Sequence, residues 1–338
     1  METASPKTML CLQSANRVVR LVICRSALLV FALFLVVPSR ALTIVATFDS
    51  TITGTPGAVD TINQAIQVYE STFSTPITVS IAFDHMGSGL GQSTKAIYET
   101  SYSGFLAQLQ NHATSANDTT ALAHLPSGIN NPVTGTSNIY LTGANALALG
   151  FTGTIDSSGT IGLNLNLINS TRSSINPGKY DLLAIAEHEI DEILGLGSLV
   201  GNSLNLTSPM PEDLFRYDSS GARTYTTVGD NAYFSINGST LLARFNQNAG
   251  PYFGGDYGDW WSPGSQTPDV QDAFGTPGMT PNLSSAEFTA LDVIGYTLTG
   301  VPEPSTTAVL IAGAAGLGAV IGKRVRRSRR PAADRTKA

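Results

Sequence analysis

His188-Glu189-Ile190-Asp191-Glu192-Ile193-Leu194-Gly195-Leu196-Gly197-Ser198 decides how this chain is read, because it lays a metal-ligand pattern on a helix. Residues four apart on an α-helix differ by about 40° around its axis, so His188 and Glu192 point the same way and an imidazole and a carboxylate can share one cation. Glu189 sits about 100° round from His188, a poor angle for chelating with it but a good one for holding and deprotonating a water on the same metal. Zinc brings the pKa of such a water towards neutrality, and a neighbouring carboxylate then accepts its proton as the water attacks a carbonyl. Leu183, Ala186, Ile190, Ile193 and Leu194 fall on the face opposite His188, which leaves one side for a core and one for chemistry. Asp181 is placed to cap the helix, and Gly195 to end it through a left-handed conformation.

The stretch resembles the metzincin-type zinc peptidase signature, His-Glu-x-x-His-x-x-Gly-x-x-His, in which three histidines hold the metal. Glu192 stands where the second histidine would be, and a carboxylate oxygen is an accepted zinc ligand. Ser198 stands in the third position, where a neutral hydroxyl is a poor ligand, so either another residue completes the site or the site is weak. Asp213 is the first candidate for that third ligand, with Glu212 as the fallback; capping a helix or ordering a loop is an equal reading of Asp213. By the same resemblance Met210 is placed to underlie the site as the methionine of the metzincin turn does, with ordinary packing as the alternative. Tyr217 or Tyr257 is a candidate to stabilise an oxyanion, against a structural role for both. His85, His112 and His124 have no partner at ligand spacing and read as solvent-facing residues.

Both ends of the chain read as address segments. Arg17, Arg20 and Arg25 precede an apolar run from Ala27 to Val37, and Ser39-Arg40-Ala41 carries small residues where a signal peptidase reads, so 1–41 is expected to be a signal peptide; a retained anchor is the alternative, for which the run is short and ends at Pro38. At the other end Val301-Pro302-Glu303-Pro304-Ser305-Thr306 leads into an apolar stretch from Thr307 to Gly322 and then an arginine cluster ending at Arg330. This order resembles the PEP-CTERM sorting signal of Gram-negative bacteria. The resemblance implies an inner-membrane intermediate anchored through 301–330, removal of the tail by an exosortase-type enzyme, and release to the cell surface or extracellular matrix. Independently, an apolar run followed by arginines is oriented by the positive-inside rule, which also places the middle of the chain outside the cytoplasm.

Both cysteines, Cys11 and Cys24, fall in the signal segment, so residues 42–300 have no disulfide and no thiolate site. That segment holds 6 Lys and Arg against 22 Asp and Glu, a formal −16, which argues against nucleic-acid binding and suits divalent cations. It reads as one α+β domain: a strand at 42–48, a helix at 59–71, a strand at 77–83, a glycine-rich connector at 86–93, a helix at 102–113 and a half-buried strand at 159–168 ahead of the metal helix. A hairpin at 233–236 turning at Asn237-Gly238 and a closing helix at 284–294 follow in a more irregular part, with the cleft between the two parts. Asp256, Asp259, Asp269 and Asp272 can be a calcium site or, more simply, a set of Asx-turns.

Taken together, Leu42–Phe48, Gly89–Ser93, the helix motif, Asp213-Leu214-Phe215-Arg216-Tyr217, Gly255–Trp260 and Ala290–Tyr296 resemble a set of bacterial metalloprotease-like proteins with PEP-CTERM tails. The resemblance implies a metzincin-like zinc peptidase domain, a twisted mixed sheet with an active-site helix and an irregular C-terminal subdomain. It also implies that the strand before the helix forms the sheet edge and pairs with an extended protein or peptide substrate, an ordinary sheet strand being the alternative. Two functions remain open: an exported zinc endopeptidase, or a non-catalytic surface or biofilm-matrix protein that keeps the peptidase fold.

Overall fold

The computed structural model describes residues 41–201, 206–227, 231–247, 254–261 and 267–300. The expected signal segment and sorting tail lie outside these residues, and no helix among those described is long and apolar enough to cross a membrane.

Strand β1 (Thr43–Phe48) alternates exposed Thr43 and Val45 with buried Ile44, and β2 (Thr78–His85) buries Val79, Ile81 and Phe83 at period two. The two pair in parallel, with Ile44 opposite Val79. Asp49 fastens their ends: its carboxylate accepts Ile52 N at 2.7 Å, capping the short helix α1 (Ser50–Gly54), and His85 N at 2.7 Å. Parallel strands need a crossover, supplied here by α2 (Ala58–Thr72), whose Ile62, Ala65, Ile66 and Tyr69 share one buried face.

The expected glycine-rich connector is in part a strand. β3 (Gly91–Lys95) runs antiparallel to β6 (Gly159–Leu163), and the sheet order is β1-β2-β6-β3. Gly-Gln-Ser-Thr-Lys has no apolar alternation, because an edge strand on a solvent-lined cleft has no buried face to mark. The expected edge position of the strand before the metal helix is thereby corrected: β6 is interior, parallel to β2 on one side, and β3 is the edge. That strand also stops at Leu163, and Leu167 is exposed.

Between these lie β4 (Ile97–Ser101) paired with β5 (Asn138–Thr142), and helices α3 (Tyr102–His112), α4 (Ala116–His124) and α5 (Gly143–Ala148). Two short strands, β7 (Ile168–Asn169) and β8 (Tyr180–Asp181), lead into α6 (Leu182–Leu194), which carries the motif and packs on α2, β3 and β6. The C-terminal part is irregular: β9 (Arg216–Tyr217), β10 (Tyr233–Phe234) and β11 (Ala243–Arg244) form a small antiparallel sheet, with Gly238 at φ 71° in the expected turn. The closing helix α7 (Ser285–Val293) starts with a capping box between Ser284 and Glu287. One contiguous core runs from Leu42 to Tyr296, so helices and a mixed sheet share a single α+β body.

α7 is tied to α4 through acids. Asp292 accepts Ser115 Oγ at 2.8 Å and Asn117 Nδ2 at 3.1 Å, while Asp118 accepts the amides of Thr114 and Ser115. Burial, reinforced by Asp118, pushes the Asp292 carboxyl up to about 7. A raised carboxyl pKa contributes stability that is complete below the unfolded value near 4 and lost as pH rises towards 7. Asp292→Asn removes the charge, so it is expected to raise stability at pH 8 by roughly 1–3 kcal/mol and to leave it nearly unchanged at pH 4. Thermal melts at both pH values check this; a variant less stable at pH 8 would show that the carboxylate is favourable there.

Candidate metal centre

α6 is held at both ends. Asp181 accepts Ala184 N at 3.3 Å and is anchored by Arg172, whose Nη2 lies 2.5 Å from the same carboxylate. At the other end Gly195 leaves the helix at φ 131°, and Tyr296 donates its hydroxyl to Leu194 O at 2.7 Å. Ala186, Ile190, Ile193 and Leu194 are buried, and the opposite side presents His188, Glu189 and Glu192 to a cleft of about 380 Å³. β3, α6 and residues within 254–259 and 268–281 line that cleft.

His188 Nδ1 lies 3.0 Å from the carbonyl oxygen of Val270. A carbonyl can only accept, so Nδ1 carries the proton and Nε2 is the nitrogen turned to the acids, the usual arrangement of a metal-binding histidine. Nε2 is 3.8 Å from Glu192 Oε1 and 3.8 Å from Asp259 Oδ1, and the three residues offer donor atoms all within 4.8 Å of one another. Donors around a tetrahedral zinc at about 2.0–2.2 Å lie roughly 3.3–3.6 Å apart, so a small inward shift closes this set on one ion. One nitrogen and two anionic oxygens, with the remaining side open to the cleft, fit a zinc site.

Among the described residues the acid that stands with His188 and Glu192 is Asp259, and Asp213, expected beside them, lies elsewhere. Asp213 is buried in a 3₁₀ turn (Glu212–Phe215), where its carboxylate accepts Ser198 Oγ at 2.5 Å, Met210 N at 3.0 Å and Leu199 N at 3.3 Å. Glu212 accepts Gly197 N at 2.5 Å. Both acids clamp the turn that follows α6; among the described residues neither joins the donor cluster at His188 or lines the cleft. Ser198, with its hydroxyl given to Asp213, serves the same turn. Met210 is buried beneath it.

What brings Asp259 in is a close backbone crossing. A Cβ on Gly258 would stand 2.6 Å from Gly197 Cα and 2.7 Å from Ser198 N, so position 258 has no room for a side chain. Asp259 is further fixed by its carbonyl, which accepts Asn246 N at 2.7 Å, and by Gln271 Nε2, 3.3 Å from Oδ1. Gly258→Ala cannot be relieved by a rotamer change because the obstacle is backbone. It is expected to displace Asp259 and, where this set holds zinc, to weaken that binding about 10–100-fold, the loss typical of a disturbed ligand support. Chelator competition measures this; unchanged affinity would mean that the crossing does not set the ligand.

Glu189 is buried in the cleft wall against β3, where a Cβ on Gly91 would lie 2.3 Å from its Oε1; glycine there makes room for the carboxylate. On Glu192 the two oxygens are divided. Oε1 faces His188, while Oε2 accepts Ser93 Oγ and lies 2.9 Å from Lys95 Nζ. Burial pushes Glu189 up to about 7, and it pushes Asp259 well above the ordinary carboxylate range. For Glu192 burial also acts upward, but Lys95 and then His188 outweigh it and hold the group below its ordinary value. Burial opposes protonation of His188, yet Asp259, Glu189 and Glu192 together raise it to about 10. Such an excess of anionic charge around one imidazole is what a divalent cation relieves.

Asp256, Asp269 and Asp272 line the same cleft, and Asp272 accepts Asp269 N at 3.2 Å, a bond back to an earlier residue and not the forward bond of an Asx-turn. Tyr217 and Tyr257 do not line the cleft, and the ring nitrogens of His85, His112 and His124 meet backbone carbonyls elsewhere. Ser93 and Lys95 carry no motif that marks them in sequence; the one available signal is that Lys95 is one of only six basic residues between 42 and 300. Comparison of the chain with protein-family models, with curated proteins and with solved structures finds no match.

Proposed function

We propose that this chain is an exported, metzincin-like zinc endopeptidase, with His188, Glu192 and Asp259 as protein ligands and Glu189 as general base. The observation that carries this reading is the convergence of three donor atoms within 4.8 Å, in a cleft that also holds a buried carboxylate. Zinc held by these residues would supply a water of near-neutral pKa and polarise a carbonyl. Glu189 takes the proton of the attacking water and returns it to the leaving amide nitrogen. β3 has β6 on one side and no strand on the other among the described residues, so an extended peptide can add to that edge beside Glu189. Edge pairing recognises backbone, which suits a protein substrate of no fixed sequence.

A second reading is a surface or matrix protein without turnover. Lys95 favours it: an ammonium already sits 2.9 Å from Glu192, so the acids have an internal cation in addition to any metal. Zinc analysis of the purified protein, together with cleavage of an unstructured protein substrate, separates the two. One zinc per chain, cleavage lost to a chelator and restored by zinc, supports the peptidase. A folded chain without metal or turnover would support the second reading.

A further inference from the structure

The two tyrosines that sequence offers for oxyanion stabilisation do not line the cleft, whereas Lys95 does. Lys95 ends the edge strand β3, and its Nζ donates to Ser93 Oγ at 2.8 Å and to Glu192 Oε2 at 2.9 Å. An ammonium has three N–H donors, so two are used in fixing the group and one remains. Its side chain is 20% exposed, and it is part of the cleft lining. Apart from His188, Lys95 is the one cationic side chain among the described residues that line it. A lysine head is ordinarily mobile and solvated; here Ser93 and Glu192 hold it still, which is what a preorganised donor requires.

We propose that Lys95 is the electrophilic residue of this site, giving its third N–H to the carbonyl oxygen of the scissile peptide and to the oxyanion that forms from it. The inference rests on the peptidase reading above. As water oxygen bonds to the carbonyl carbon, the π pair moves onto the carbonyl oxygen, and the proton lost by the water goes to Glu189. The hydrogen bond from Lys95 to that oxygen strengthens as the charge develops, so it stabilises the transition state more than the bound substrate. Collapse returns the pair, breaks the C–N bond, and Glu189 protonates the leaving nitrogen. Lys95 keeps its proton throughout, and no further reactant is needed.

The test compares the purified parent with Lys95→Met and Lys95→Arg in zinc content, in steady-state cleavage of an unstructured peptide, and in calorimetric binding of a phosphinic peptide that mimics the tetrahedral oxyanion. Lys95→Met is expected to keep one zinc and nearly the parental KM, while kcat falls about 10²–10³-fold and phosphinic affinity falls in parallel. Lys95→Arg, which keeps a cationic donor and guards against misfolding of the first variant, should recover part of both. Unchanged kcat and phosphinic affinity in Lys95→Met would overturn the role of Lys95 and leave the peptidase reading standing. Loss of zinc from both variants would also overturn it, making Lys95 a support of Glu192. A parent with neither turnover nor zinc-dependent phosphinic binding would instead overturn the peptidase reading, and this inference with it.

Discussion

Asp259→Asn is expected to lower zinc affinity by more than about 100-fold, beyond what a lost supporting contact usually costs, because it removes an anionic ligand. The amide keeps the shape of the side chain and an oxygen for Gln271, so the Gly258 crossing and the backbone bonds around residue 259 have no reason to move. Asp213→Asn should behave in the opposite way. Its carboxylate receives three hydrogen bonds in a buried turn, and an amide nitrogen there faces a donor, so stability falls by about 1–3 kcal/mol while zinc affinity changes far less. Competition titration with a chromophoric chelator at fixed pH, paired with thermal melts, gives both quantities. A large affinity loss for Asp213→Asn with Asp259→Asn unchanged would return the third ligand to the 3₁₀ turn.

Glu189→Gln should separate binding from chemistry. Glutamine fits the space beside Gly91 that the carboxylate occupies, but it cannot accept the proton of water. Zinc content and fold are expected to match the parent, while kcat drops about 10²–10⁴-fold, the range that general-base catalysis provides. Cleavage of an unstructured protein at the parental rate would remove Glu189 from the mechanism.

The parts of the molecule legible in sequence are those where a local rule operates. Periodicity marks α6, and short-range chemistry marks its cap Asp181, its exit Gly195 and the Ser284–Glu287 box. His188, Glu189 and Glu192 share that helix, so their juxtaposition follows from helical geometry alone. Asp259 comes from a distant loop, and what delivers it is a contact between two glycines; nothing in the spacing of Gly197 and Gly258 announces that they touch. β3 escaped notice because its residues are polar, and its value to the site lies in that polarity: Ser93 and Lys95 reach Glu192 from it.

Not every acid of α6 faces solvent. Glu187 and Asp191 are both buried, and Tyr69 donates its hydroxyl to the carbonyl of Glu187 at 2.7 Å. Burial pushes Asp191 far above the ordinary carboxylate range. A protonated carboxyl is close to an amide in cost of burial, and sequence does not distinguish it from a charged one. The formal −16 of residues 42–300 accordingly overstates the charge that the folded surface carries.

The ligand set is the claim on which the rest depends, and anomalous diffraction at the zinc edge from crystals grown with zinc tests it directly. One peak is expected at the head of the cleft, about 2.0–2.2 Å from His188 Nε2 and from a carboxylate oxygen of each of Glu192 and Asp259. A peak coordinated by Asp213 or Glu212, or no peak at His188 in a crystal that holds zinc elsewhere, would contradict it.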